Sequence, residues 1–145
     1  MIGLSRKSLL ALEAVLDVAI HARPNPVQAR DITRRQNVPQ RYLEQIMQAL
    51  VRADILRGVR GPRGGYRLAR ERRRILVREI FSVIAESEND MIVPQSNSPL
   101  SQQVVAPLCQ QLNARLEQEL DGLTIATLCD QLQQMKNKSE SDFII

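Results

Sequence analysis

The chain has 145 residues, 43% of them hydrophobic and 3% aromatic, which suits one ordinary domain, or a small domain with an oligomerisation arm, built on an aliphatic helical core. No run approaches the roughly 20 apolar residues of a membrane span. The net charge of +4 conceals an asymmetry: residues 1–80 carry 17 Lys and Arg against 7 Asp and Glu, whereas residues 81–145 carry 3 against 9, so a polyanion-binding front is joined to an acidic part with a different task.

Ser5 is placed to cap a first helix running to about Ala22, with Leu9, Leu12, Leu16, Ala19 and Ile20 on one face. Glu13 and Asp17 interrupt the apolar run behind Arg6 and Lys7, so no signal peptide is expected. Pro24 and Pro26 stop the helix. A short polar helix follows over about Val27 to Gln36. Asn37, Val38 and Pro39 then form a turn, the proline tolerated because a helix's first turn needs no donor. The next helix runs to about Asp54, burying Leu43, Ile46, Met47, Leu50 and Val51 and leaving Gln40, Arg41, Glu44, Gln45 and Gln48 outside.

The stretch from Leu56 to Ile80 is the most informative. Gly61-Pro62-Arg63-Gly64-Gly65 forces a tight reversal between Ile55, Arg57, Val59 and Tyr66, Arg67, Leu68, which fits a small hairpin with one wet face. Arg60 and Arg63 at its tip are ill suited to a core and well suited to phosphates or a narrow groove. Helix, helix, arginine-tipped hairpin is the order of a winged helix-turn-helix. The expected fold is therefore mainly α with a small β-hairpin, a winged helix-turn-helix domain plus a long dimerisation helix.

A short amphipathic helix from Ile75 to Ala85 completes a DNA-binding domain over residues 1–85. Residues 86–99, acidic and then rich in Ser, Asn, Gln and Pro, read as a loop. Beyond Leu100, Val104, Leu108, Leu112, Leu116 and Leu120 recur four apart, and Pro107 should start or kink that helix. Gly122 ends it and Thr124 caps the next, where Ile125, Leu128, Leu132 and Met135 continue an apolar stripe. Residues 100–135 are expected to be dimerisation helices packing on a second copy, as suits palindromic operators; packing back on their own domain is the alternative. Residues 136–145 are expected to form a flexible C-terminal tail.

No nucleophile constellation, phosphate-binding loop, metalloprotease motif or dinucleotide fingerprint is present, and His21 has no motif partner, so the chain is not expected to be an enzyme. Cys109 and Cys129 lack metal-type spacing and fit a reducing cytoplasm.

Ser5–Asp17, Tyr42-Leu43-Glu44-Gln45, the stretch from Val59 to Tyr66 and Val77-Arg78-Glu79-Ile80 together resemble the bacterial winged-helix regulator family typified by IscR, NsrR and CymR. The resemblance is dense over about residues 4–85 and looser over 100–132. It implies a homodimeric transcriptional regulator, expected to be a repressor, with paired winged domains crossed by long helices. On matching positions it implies that Gln40, Arg41 and Glu44 face the major groove of double-stranded DNA, that Tyr42 holds a backbone phosphate and that Arg60 enters the minor groove. The chemistry suits those places, since Arg41 can fork onto guanine, Gln40 can pair adenine and Glu44 can accept from cytosine. Tyr42 as a core aromatic is the alternative. Pro39 stands where the family often has serine.

One departure bears on the signal. Cluster-binding members of that family carry three closely spaced cysteines in the loop before the long helix, and residues 89–106 contain none. Iron–sulfur clusters usually demand several thiolates, so no cofactor and no metal site are expected, and Cys109 and Cys129 are expected to be packing residues. The resemblance to cluster-free members implies control of cysteine and sulfur metabolism through cysteine synthase. Asp142-Phe143-Ile144-Ile145 is similar to the isoleucine-terminated tail with which serine acetyltransferases enter that enzyme, so Phe143, Ile144 and Ile145 are candidate partner-binding residues. An accidental hydrophobic end is the alternative. Two other functions stay open: an iron–sulfur or nitric-oxide and redox-sensing regulator with atypical ligands, and a protein-interaction module using the C-terminal half.

Overall fold

The computed structural model describes residues 4–88 and 97–143. Ser5 caps α1 (Arg6–His21), its Oγ accepting from the Ser8 N–H at 3.1 Å and so satisfying one donor that the first turn leaves open. The face that α1 buries is made of Ala11, Ala14, Val15, Val18 and Ala19. The leucine face expected from the sequence is displaced: Leu9 is 45% exposed, and Leu12, Leu16 and Ile20 are only partly covered. The reason is crowding. α1 packs against several elements at once, and small side chains let those neighbours approach closely while the bulkier leucines are left on the flank.

α2 (Ala29–Gln36) ends at Asn37 in the left-handed conformation, φ 54°, a place asparagine tolerates well. With Val38 buried and Pro39 before the first residue of α3 (Gln40–Arg52), the expected turn is present. α3 buries Leu43, Ile46, Met47 and Leu50; Val51, expected inside, lies at the surface because it is rotated about 100° from Leu50 to the edge of the stripe. β1 (Leu56–Val59) and β2 (Gly65–Leu68) pair antiparallel, with Leu56 opposite Leu68 and Arg57 opposite Arg67. Val27 joins the hairpin by two bonds, its N–H donating to the Tyr66 carbonyl at 3.0 Å and its carbonyl accepting from the Tyr66 N–H at 2.7 Å.

A 3-10 turn at Arg72–Arg74 leads into α4 (Val77–Glu88). After the segment outside the described residues, a π-helical stretch, Ser101–Val105, runs into α5 (Ala106–Leu120). Pro107 accounts for it: the ring cannot donate and crowds the carbonyl four residues back, and a widened turn just upstream relieves the clash. Gly122, at φ 71°, breaks α5 as expected. Thr124 caps α6 (Ile125–Phe143), its Oγ1 accepting from the Thr127 N–H at 3.2 Å. α6 continues to Phe143, so residues 136–143 are helical where a flexible tail was expected. The segment is polar but free of Gly and Pro, and Gln133 donates to Asn137 one turn on at 3.2 Å. Ile144 and Ile145 lie outside the described residues.

The junction of α5 and α6 is fastened to the front of the molecule. The Val77 N–H donates to Leu123 and the Ile125 N–H to Ile75, each at 3.0 Å. Leu120, Ile125 and Cys129 thereby join the single core, whereas Val104 of the π-helical stretch and Leu108 and Leu112 of α5 are exposed. No helix among the described residues is long and apolar enough to cross a membrane.

One charge sits inside this packing. Asp17 of α1 is 1% exposed, and its carboxylate accepts from Arg35 Nε at 2.9 Å, Arg35 Nη2 at 2.8 Å and Gln36 Nε2 at 2.9 Å. Burial pushes the Asp17 pKa up, but the hydrogen bonds from Arg35 and Gln36 and the guanidinium charge outweigh it and hold the group below its ordinary value. A depressed carboxylate contributes stability that is present above the unfolded pKa, about 4, and lost as pH falls through the folded one. Asp17→Asn is therefore expected to lower unfolding free energy by about 2 kcal/mol at neutral pH. Urea titrations checking this should show the difference shrinking below about pH 4.

Candidate nucleic-acid interface

The first turns of α3 are amphipathic at close quarters. Leu43, Ile46 and Met47 go into the core, and the same turns present Gln40, Arg41, Tyr42, Glu44 and Gln45 to solvent. The structure thus brings Gln40, Arg41, Tyr42 and Glu44 together on one exposed surface, anchored from beneath by the apolar stripe. Tyr42 is 52% exposed, which removes the alternative of a core aromatic and leaves its hydroxyl free to reach a ligand.

Tyr42 and Gln45 also line a cleft of about 550 Å³ whose other wall is the start of α1, with Arg6, Lys7 and Leu10. Arg6 and Lys7 had not been singled out as site residues. The available signal was two cations directly after a capping serine, at a helix N-terminus where the backbone dipole already favours anions.

The wing is shaped by its glycines. Gly61 adopts φ +109°, and the Gly64 N–H closes the tip on the Gly61 carbonyl at 2.9 Å. A Cβ on Gly64 would stand 2.2 Å from the Val59 carbonyl oxygen, and one on Gly65 would stand 2.4 Å from that of Val27. Both contacts are with backbone, so the reversal is open only to glycine. Arg60 and Arg63 are exposed on this tip. Neither they nor Arg41 take part in an ion pair among the described residues. An unpaired guanidinium on a rigid turn is free to fork onto phosphate or enter a narrow groove. The wing tip and the α3 surface are separate patches of one unit, since β1 follows α3 after three residues.

The thiols lie elsewhere. Cys109 is exposed on α5 and Cys129 is buried on α6. Burial pushes the Cys129 thiol up, against the opposing pull of Arg72, which makes it a poor thiolate. Among the described residues no group of three or more His, Cys, Asp or Glu could hold a metal ion. Two cysteines on different helices, one of them buried and protonated, do not fit an iron–sulfur cluster of several thiolates. Of the candidate tail residues, Phe143 closes α6, and Ile144 and Ile145 lie outside the described residues.

Against this geometry, a family model described as Rrf2, iron-dependent transcriptional regulator, matches residues 4–131. The transcriptional regulator IscR of Xenorhabdus nematophila is 43% identical over 84 residues, which are 58% of this chain and 51% of that protein. IscR of Vibrio campbellii is 40% identical over 84 residues, 58% of this chain and 50% of that protein. The chain spans about half the length of these curated relatives. Among solved structures, T. potens IscR superposes with a TM-score of 0.73 at 30% identity, covering 92% of this chain and 90% of that one. CymR, the global cysteine regulator of B. subtilis, superposes with a TM-score of 0.68 at 24% identity, covering 90% and 98%, a likeness of fold.

Proposed function

The chain belongs to the Rrf2 family of transcriptional regulators, and from that premise we propose that it is a cytoplasmic, homodimeric, DNA-binding repressor of cysteine or sulfur metabolism that works without an iron–sulfur cluster. The observation that carries the DNA-binding part is the exposed turn of α3 with Gln40, Arg41, Tyr42 and Glu44, together with Arg60 and Arg63, unpaired among the described residues, on a glycine-built wing. In this reading residues 1–85 hold the operator. Arg41 forks onto guanine, Gln40 pairs adenine, Glu44 accepts from cytosine, and Tyr42 binds a backbone phosphate. Arg60 enters the minor groove with Arg63 on the flanking phosphates. The exposed row Val104, Leu108 and Leu112, running from the π-helical stretch into α5, supports a dimer formed through residues 100–135, because a lone chain gains nothing by exposing such a row. The cluster-free part is supported by the two-cysteine donor set and by the absence of cysteine from residues 86–99. The sulfur assignment, with cysteine synthase as partner, is supported by the sequence Asp142-Phe143-Ile144-Ile145.

Each part has its own measurement. In fluorescence anisotropy on genomic fragments enriched with the protein, Arg60→Ala is expected to weaken operator binding by about 1–3 kcal/mol, and Arg41→Ala to do the same while relaxing specificity at one base pair. Unchanged affinity in Arg60→Ala removes the wing from the interface. Protein purified without oxygen is expected to be colourless, with no charge-transfer absorption in the visible; a brown preparation restores the cluster-sensing alternative. Deleting Ile145 is expected to abolish co-purification with cysteine synthase and leave DNA affinity intact, and complexes that survive the deletion refute that partner.

A further inference from the structure

Behind the wing, between the outer face of the hairpin and the C-terminal end of α1, lies a cavity of about 490 Å³ walled by arginine. Arg57 and Arg67 are cross-strand partners in it, a placement in which like charges weaken a strand pair unless something lies between them. Arg23 enters from the segment after α1, and Arg72 from the 3-10 turn. None of these four has a carboxylate partner among the described residues, whereas Arg70 and Arg73 on the same rim do, Glu79 at 2.6 Å and Glu71 at 3.4 Å.

The hydrogen bonds inside the cavity leave a deficit of acceptors. Arg67 donates one Nη to the Pro24 carbonyl, and Arg72 donates one to the Ala19 carbonyl at 2.5 Å. The Nε of Arg72 is buried with no partner. That atom is shut off from the recess, so the exposed guanidinium groups of Arg23 and Arg57 are the ones a ligand meets, and capping the end of α1 requires one cation there, not four. The cavity is also remote from the α3 surface. The cleft holding Tyr42 lies at the N-terminal end of α1, and this cavity lies at the other end of that 16-residue helix, which is about 24 Å long.

We propose that this cavity binds a small oligophosphate, a ligand with two or three linked phosphates, held by Arg23, Arg57, Arg67 and Arg72. Paired phosphate oxygens match the guanidinium fork, and three to four negative charges neutralise the set. The recess opens at the far end of α1 from the α3 surface, so a small ligand reaches it independently of a duplex held by α3. A bound oligophosphate ties both wing strands to the end of α1 and to the 3-10 turn, ordering the hairpin whose tip carries Arg60 and Arg63.

Titration calorimetry of the full chain at about 0.15 M salt with inorganic triphosphate, adenosine triphosphate and sulfate tests this. Saturable binding of one triphosphate per chain is expected, weakened about tenfold or more in Arg57→Gln and in Arg23→Gln and unchanged in Arg60→Gln. Arg23 and Arg57 are exposed, and neither side chain holds an ion pair among the described residues. Circular dichroism of each variant verifies that it folds. Tighter binding of adenosine triphosphate than of inorganic triphosphate identifies a nucleotide as the source, and equal or weaker binding identifies an inorganic chain. The proposal is overturned if no saturable binding occurs, if sulfate at equal ionic strength reproduces it, or if Arg60→Gln loses as much as Arg57→Gln. Loss of operator affinity in Arg57→Gln without triphosphate binding also overturns it and assigns these arginines to DNA.

Discussion

The direction in which α3 leaves the body of the protein rests on the carboxylate of Asp17. Its three hydrogen-bond donors are the last two residues of α2, and only Asn37, Val38 and Pro39 separate them from α3. Once the end of α2 is held, the left-handed Asn37 and the buried Val38 leave little freedom in where Gln40 begins. A buried ion pair is seldom more stabilising than an apolar pair of the same shape. Its distinguishing property is direction: a bidentate guanidinium contact with a third donor alongside admits one orientation, where packed methyl groups admit several. The surface formed by Gln40, Arg41 and Glu44 is thus positioned by a charge on a different helix.

The C-terminal helices reach the same frame through a second directional link. The bonds from Val77 to Leu123 and from Ile125 to Ile75 pin the α5–α6 junction to the start of α4, and α6 then lies on α1 and on the 3-10 turn of Arg72. α1 is consequently touched at one end by the cleft of Tyr42 and along its length by α6. A shift of α6 relative to its own domain must therefore break these bonds or carry the start of α4 with it.

Much of this organisation was legible because it is local. Ser5 and Thr124 as caps, Asn37 to Pro39 as the turn, Gly122 as a stop and the glycine-rich reversal each depend on neighbours within a few residues, and each is found in place. The exposed set on α3 was legible for the same reason, since a 3.6-residue period decides which side faces out. What was missed depends on the tertiary neighbourhood. Hydrophobicity alone ranks Leu9 and Leu12 above Ala11 and Ala14, yet close packing around α1 selects the alanines. The polarity of residues 136–143 suggests a tail, but the lack of helix breakers lets α6 run on through them. Arg6 and Lys7 became part of the site only when α1 was seen to start beside Tyr42.

The basic front half shows most clearly why composition is an incomplete guide. Its 17 cations invite the reading of one DNA-binding surface, but the structure assigns them to different tasks. Arg35 is committed to Asp17 and Arg70 to Glu79. Arg67 and Arg72 hold backbone carbonyls behind the wing, and Arg41, Arg60 and Arg63 stand exposed without an ion pair among the described residues. Salt dependence of binding counts phosphates neutralised at the interface, not cations in the chain. A guanidinium already committed to a carboxylate or a backbone carbonyl has less to offer a phosphate than an unpaired one. The charge asymmetry therefore marks which half meets polyanions, and the pairing of each arginine decides which of them takes part.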